Sequence, residues 1–256
     1  MWGGRGIYCT VRDAIEQQVL RIMRLEDLVK LRALTELCSP EFFNDPSLLV
    51  LAWRRILEVL ELAMPEEKKV RGKKKKQEKK KTDPRKLEIL DACAALGNAC
   101  NEVEDFDDAR RYMKRTKEGY EEQLGHDSEK ALDATQNLTM ITCSSEGEAI
   151  EKLRYLVKRC ERALGEENVV ILETLNALGG RLRENGEHEK AINVHERCLA
   201  GRMNVLGEDH RNTLGTLNNL GNVYKNLKNY EKALEYFERA LEGKEKLMGK
   251  NHPERS

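Results

Sequence analysis

Aromatic residues are scarce in this chain, 5% of 256, and there are only five prolines. A sheet-rich domain of this size draws on more aromatic and β-branched residues and on more turns, so helices are the expected material. Long apolar runs are missing too. The most apolar stretch, Leu48 to Met64, is broken by Arg54, Arg55, Glu58 and Glu61, which excludes a bilayer span. The opening MWGGRGIYCTVRD lacks the apolar core of a secretion signal. Net charge is absent, because 45 Lys and Arg balance 45 Asp and Glu, and the chain as a whole gives no reason to expect nucleic acid or membrane. The seven cysteines form no CxxC, are odd in number, and fall mostly at apolar positions of helical patterns. They read as reduced core thiols of a cytoplasmic protein. No Gly-rich phosphate loop, nucleophile elbow or HExxH helix occurs. The expectation is a protein that is not an enzyme and carries no cofactor or metal.

What is present is repetition. Leu172-Glu-Thr-Leu175-Asn-Ala-Leu178-Gly179 returns 42 residues later as Leu214-Gly-Thr-Leu217-Asn-Asn-Leu220-Gly221. Thirteen residues beyond Leu178 and Leu220 come Ala191 and Ala233, each opening a second helix with small residues on its seam. Leu206-Gly207 and Met248-Gly249 close the two units, and His210 and His252 follow three residues after the Gly. Two weaker copies keep the register. Leu90 to Gly97 leads to Ala109 after the same interval, and Leu132 to Thr139 leads to Ala149 through a turn two residues shorter. Apolar residues three or four apart make one seam of the first helix. Gly at the eighth position and Ala at the start of the second helix remove bulk where the two axes approach. One such hairpin cannot bury its own apolar face, so stability must come from stacking.

The set Leu217, Leu220, Gly221, Tyr224, Ala233, Phe237 and Ala240 resembles the tetratricopeptide signature. The 42-residue period and the joint Leu206-Gly-Glu-Asp-His-Arg are similar to the kinesin light chain variety. The resemblance covers about residues 86–256 and is strongest over 168–252. It implies an all-α fold, a right-handed α-α superhelix (tetratricopeptide solenoid), here with an N-terminal helical pair. It also implies a protein-binding scaffold or adaptor that holds partner peptides in a concave groove, with kinesin light chain-like cargo or adaptor binding as the specific form. The alternative is a regulatory or sensor repeat domain of a larger signalling or enzyme protein. No small-molecule substrate is implied.

In such arrays the first helix of each hairpin lines the groove at positions two, five, nine and twelve. With Leu214 as position one, these positions supply Asn218, Asn222 and Lys225 in the fourth copy. The third copy supplies Asn176 and Arg183, and the first supplies Asn98. An Asn amide offers a donor and an acceptor together and so suits the backbone of an extended peptide, while Arg183 and Lys225 suit carboxylates. The competing reading is that these Asn solvate the face or pair with one another. His195 and Cys198, three apart on a second helix, hold the seam positions of Phe237 and Ala240 and read as packing rather than metal ligands.

Three segments are expected: a helical region over 1–66, a basic linker over 67–83, and four repeats over 84–256. The repeats run at about 86–125, 128–165, 168–207 and 210–249, followed by the start of a fifth. Val11 to Leu37 reads as an amphipathic helix, and Asp45-Pro46 as the opening of a second helix to about Leu62. Kinesin light chains carry a long heptad coiled coil in this region, whereas the heptad here lasts barely three turns. A helical pair capping the solenoid is expected instead. The run 68–81, KKVRGKKKKQEKKK, holds ten Lys or Arg against one Glu. It reads as a solvated linker, with an import or nucleic-acid patch and an acidic protein or lipid contact as alternatives. Without interleaved aromatics it is not built to stack on bases. The fourth repeat has no polar capping helix after it, so either the array continues or its edge self-associates.

Overall fold

The computed structural model describes residues 46–62 and 82–251, all helix or short connection. The expected helix over 11–37, the Lys-rich run, His252 and the start of the fifth repeat lie outside the described residues. The chain divides into two compact units, one ending at His126 and one starting at Asp127. The fold class is all-α, as the sequence predicts.

The first unit contains α1 (Pro46–Leu62), α2 (Pro84–Glu102) and α3 (Phe106–Leu124). Pro84 occupies the first turn of α2, and the Asp83 side chain accepts from the Arg85 amide at 3.0 Å, satisfying an orphan donor. Helix α1 buries Leu49, Ala52, Ile56 and Val59. Arg54 pairs with Asp108 at 2.6 Å and Arg115 with Glu61 at 2.5 Å, tying α1 to α3.

The second unit contains three hairpins: α4 (Glu129–Thr142) with α5 (Glu146–Leu164), α6 (Val169–Glu184) with α7 (His188–Leu206), and α8 (Arg211–Asn226) with α9 (Tyr230–Asn251). The joints are capped by side chains of different chemistry at one place. Asn168 accepts from the Val170 amide at 2.8 Å, and His210 Nδ1 accepts from the Asn212 amide at 3.1 Å. His210 thus forms the inter-repeat turn by capping α8. One core joins Leu132, Leu153, Leu172, Leu178 and Val223; a second joins Leu199, Leu214, Leu217 and Leu220. Each hairpin therefore shares its apolar flank with the next.

Closure within a hairpin depends on two glycines facing opposite ways. A methyl group on Gly179 would lie 2.6 Å from the His195 ring, and one on Gly221 2.6 Å from the Phe237 ring. In the first unit Gly97 meets Met113 at 3.1 Å in the same way. From the other helix, Gly119, Gly201 and Gly243 receive Leu90, Leu172 and Leu214, which open the recurring eight-residue pattern of their repeats. The eighth-position Gly was visible in the sequence; its reciprocal partner was not. The second hairpin has Thr139 and Arg159 at these two places. A cleft of about 310 Å³ opens there between α4 and α5, lined by Thr135, Thr139, Tyr155, Leu156 and Arg159.

Candidate functional site

The first helices of successive hairpins in the second unit lie side by side, joined by polar bonds. Gln136 of α4 accepts from Thr174 of α6 at 2.8 Å, and Asn176 of α6 accepts from Asn219 Nδ2 of α8 at 2.8 Å. A continuous face runs over α4, α6 and α8, and five of the six expected residues belong to these helices.

Asn218 and Asn222 are half-buried on α8, and neither amide is hydrogen-bonded among the described residues. Lys225 is exposed in the last turn of α8 and forms no ion pair there. Arg183, half-buried at the end of α6, donates to Glu184 at 3.2 Å. Asn176 is half-buried, with its carbonyl oxygen committed to Asn219. This is the Asn–Asn pairing the sequence left open as the competing reading, and it removes one acceptor from the expected set. Asn98 is exposed on α2, in the first unit. Asn219 and Gln136 were missed. Asn219 stands one place past the counted position five, in Leu217-Asn-Asn-Leu220, and a helix turned slightly about its axis brings that neighbour towards the preceding hairpin.

The face is electrically polarised. At its helix-start end, burial pushes the Asp133 carboxyl up to about 6, and the neighbouring charges of Glu173 and Glu129 add to the effect. At the helix-end side sit Arg183 and Lys225. Between these ends lie neutral amides, which suit the backbone of a peptide.

His195 and Cys198 are core, as expected from their seam positions. Both are fully buried, His195 against Gly179 and Cys198 with its thiol 3.1 Å from the Leu172 carbonyl. Neither His195 nitrogen has a hydrogen-bond partner. Burial, reinforced by the Arg183 and Arg202 charges, pushes its pKa down to about 4. Cys93 is likewise buried, and its thiol is pushed up to about 11, the behaviour of an inert core cysteine. Cys100, Asp105 and Asp108 are grouped closely enough to suggest a cation site. Arg54 already serves it, 2.6 Å from Asp108 and 3.6 Å from Asp105, and burial raises the Cys100 pKa. Arg202, 5% exposed, was also not foreseen; it donates to the Asn212 carbonyl and to Thr216, both at 2.8 Å, and locks α7 to α8. No described helix is long and apolar enough to cross a membrane.

Comparison with known proteins agrees with this architecture. The tetratricopeptide repeat family profile matches residues 171–246 and 212–255, so the last two hairpins are tetratricopeptide repeats. Among solved structures, BtubC (BKLC) from P. vanneervenii shares 20% identity over 94% of this chain and 91% of its own, with a TM-score of 0.58. A kinesin light chain-like protein of Podosopora anserina with nearly identical TPR-like repeats shares 17% identity, covering 91% of this chain and all of its own, at a TM-score of 0.56. A Rap protein complexed with competence and sporulation factor gives a TM-score of 0.60 at 11% identity, over 77% of this chain and 48% of its own. A sequence search of curated proteins finds no significant match. At these identities the structural likeness speaks for the fold alone, a helical repeat architecture.

Proposed function

We propose that this protein is a cytoplasmic adaptor whose second unit holds an extended peptide of a partner protein along α4, α6 and α8. The observation that carries this reading is the pair of half-buried, unpartnered amides of Asn218 and Asn222, beside Arg183 and Lys225 at the helix ends. Half-buried amides without partners offer donors and acceptors at low desolvation cost, because the shape is already formed. The peptide's acidic or carboxylate-bearing part belongs at Arg183 and Lys225 and its basic part near Asp133 and Glu173. No bond is made or broken; the protein acts by preorganised shape. The likeness to kinesin light chain-like repeats favours a cargo or adaptor peptide as ligand. A second reading, a sensor module of a larger regulatory protein, draws on the similarity to a Rap protein solved with a bound factor, of which this chain spans about half.

Peptides selected from a random library against the full chain test the site. Asn218→Ala with Asn222→Ala should weaken them at least tenfold, since each backbone bond contributes on the order of 1 kcal/mol. Unchanged affinity in the double variant rejects the groove.

A further inference from the structure

Two glycines on the groove face have no duty in the fold. In the last two hairpins, Gly179, Gly201, Gly221 and Gly243 leave room for a facing side chain, and Gly186 and Gly207 have positive φ. Gly180, inside α6, and Gly215, inside α8, do neither. The backbone at both is helical, and a methyl group added to either would meet nothing within 4 Å beyond its own helix, among the described residues. A glycine inside a helix weakens it relative to alanine, so the fold alone gives no reason for these two. Both are half-buried, and both stand at groove positions, nine on α6 and two on α8. What they take away is side-chain bulk from the groove floor.

A ridge lies between the two bare spots. Asn219 Nδ2 donates to Asn176 at 2.8 Å, which sets α6 and α8 level near positions five and six. Seven register places separate Gly180 from Gly215, about 10 Å along the axes, and packed helix axes lie about 9 Å apart, so the spots stand about 14 Å apart on a diagonal. An extended peptide covers about 13 Å in four residues, and residues four apart point to the same side. The residue midway between them points that way too and crosses the Asn176–Asn219 ridge, where only a small side chain fits.

The surroundings of the two spots differ. Gly215 shares position two with Glu173 of α6, which is half-buried and has no hydrogen bond or ion pair among the described residues. Gly180 shares position nine with Met140 of α4, a partly buried side chain that packs against the core.

We propose that Gly180 and Gly215 determine the groove's specificity, as bare seats for two large side chains four residues apart in the bound peptide. A Lys or Arg lies over Gly215, its stem on the bare helix and its head at Glu173. A large apolar side chain lies over Gly180 beside Met140. The residue midway is small. This inference rests on α4, α6 and α8 being the peptide-binding face, and it adds the sequence spacing of the ligand.

The probe is a random peptide library displayed on phage and selected against the full chain. Binders should carry Lys or Arg and a large apolar residue at that spacing, with Gly, Ala or Ser midway. Gly180→Leu should lose only the apolar preference and Gly215→Leu only the basic one. Each should weaken a peptide selected on the unmodified chain roughly tenfold or more, since a filled seat excludes the side chain it held. Gly180→Ala and Gly215→Ala should raise the melting temperature, which a glycine needed by the fold would not allow. Binders that lack the spacing, filled variants that keep full affinity, or alanine variants that melt lower would each overturn the proposal. Asn218→Ala with Asn222→Ala separates the two levels. If selection needs that pair but shows no spacing, the groove stands and the seats fall; if it needs neither, the groove falls with them.

Discussion

The second and fourth hairpins share one register of residues but close differently. In the fourth, Gly221 accepts the Phe237 ring and Gly243 accepts Leu214, so the two helix axes approach closely. In the second, Thr139 and Arg159 fill those places, and the cleft beside Tyr155 opens between the helices. The third hairpin closes like the fourth but places an imidazole, His195, where the fourth has Phe237 and the second has Leu153. One architecture thus tolerates an aromatic ring, an imidazole or an aliphatic side chain at a single seam position, provided the opposing residue yields room. Tight closure comes from pairs of residues, not from any one of them.

The largest effect that would sharpen this comparison is acid sensitivity confined to the third hairpin. His195 has a folded pKa of about 4 against 6.5 in the unfolded chain, so the unfolded state binds the extra proton between those values. Stability is then full above pH 6.5 and falls by about 3 kcal/mol as pH drops to 4. His195→Phe, which copies the fourth hairpin, should remove this loss and also raise stability at pH 7, because it deletes a buried donor that has no partner. Urea unfolding of both proteins at pH 4.5 and pH 7 measures the difference; identical pH slopes would mean that His195 is solvated or partnered.

A smaller effect tests the glycines directly. Gly221→Val should cost about 2 kcal/mol by forcing a branched side chain into the Phe237 ring, whereas Thr139→Val, at the same place in the open hairpin, should cost less than about 1 kcal/mol. Equal losses in thermal melts would show that the second hairpin is as closed as the fourth. The smallest effect concerns the turns. Gly186 has φ 79°, and the same place in the fourth hairpin holds Lys228 at φ 59°. Lys228→Gly should therefore stabilise by about 0.5–1 kcal/mol, since a left-handed backbone strains a side chain that glycine lacks. A loss of stability would mean that the flexibility Gly adds to the unfolded chain outweighs the strain it relieves.

Much of the architecture was legible because repetition exposes which residues face the seam. Leu178 with Gly179 and Leu220 with Gly221 fall at equivalent places in adjoining hairpins, and Ala191 and Ala233 are both buried. The candidate site was only partly legible. Counting positions picked out Asn218 and Asn222, whose amides are half-buried and without partners among the described residues, but it could not show that Asn176 spends its acceptor on Asn219, since that bond spans two hairpins. The buried Arg202 was missed for a similar reason. Charged residues are buried only where partners satisfy them, and its partners, Asn212 and Thr216, belong to the next helix.

The sequence by itself determined the helices, their pairing into hairpins and the need to stack, because a one-sided apolar pattern leaves no other way to keep its seam dry. Only the tertiary structure decided which polar side chains remain unpaired on the shared face, and which hairpin stays open. Those outcomes depend on a rotation of each helix by a fraction of a turn against its neighbour, and packing between residues distant in the chain sets that rotation.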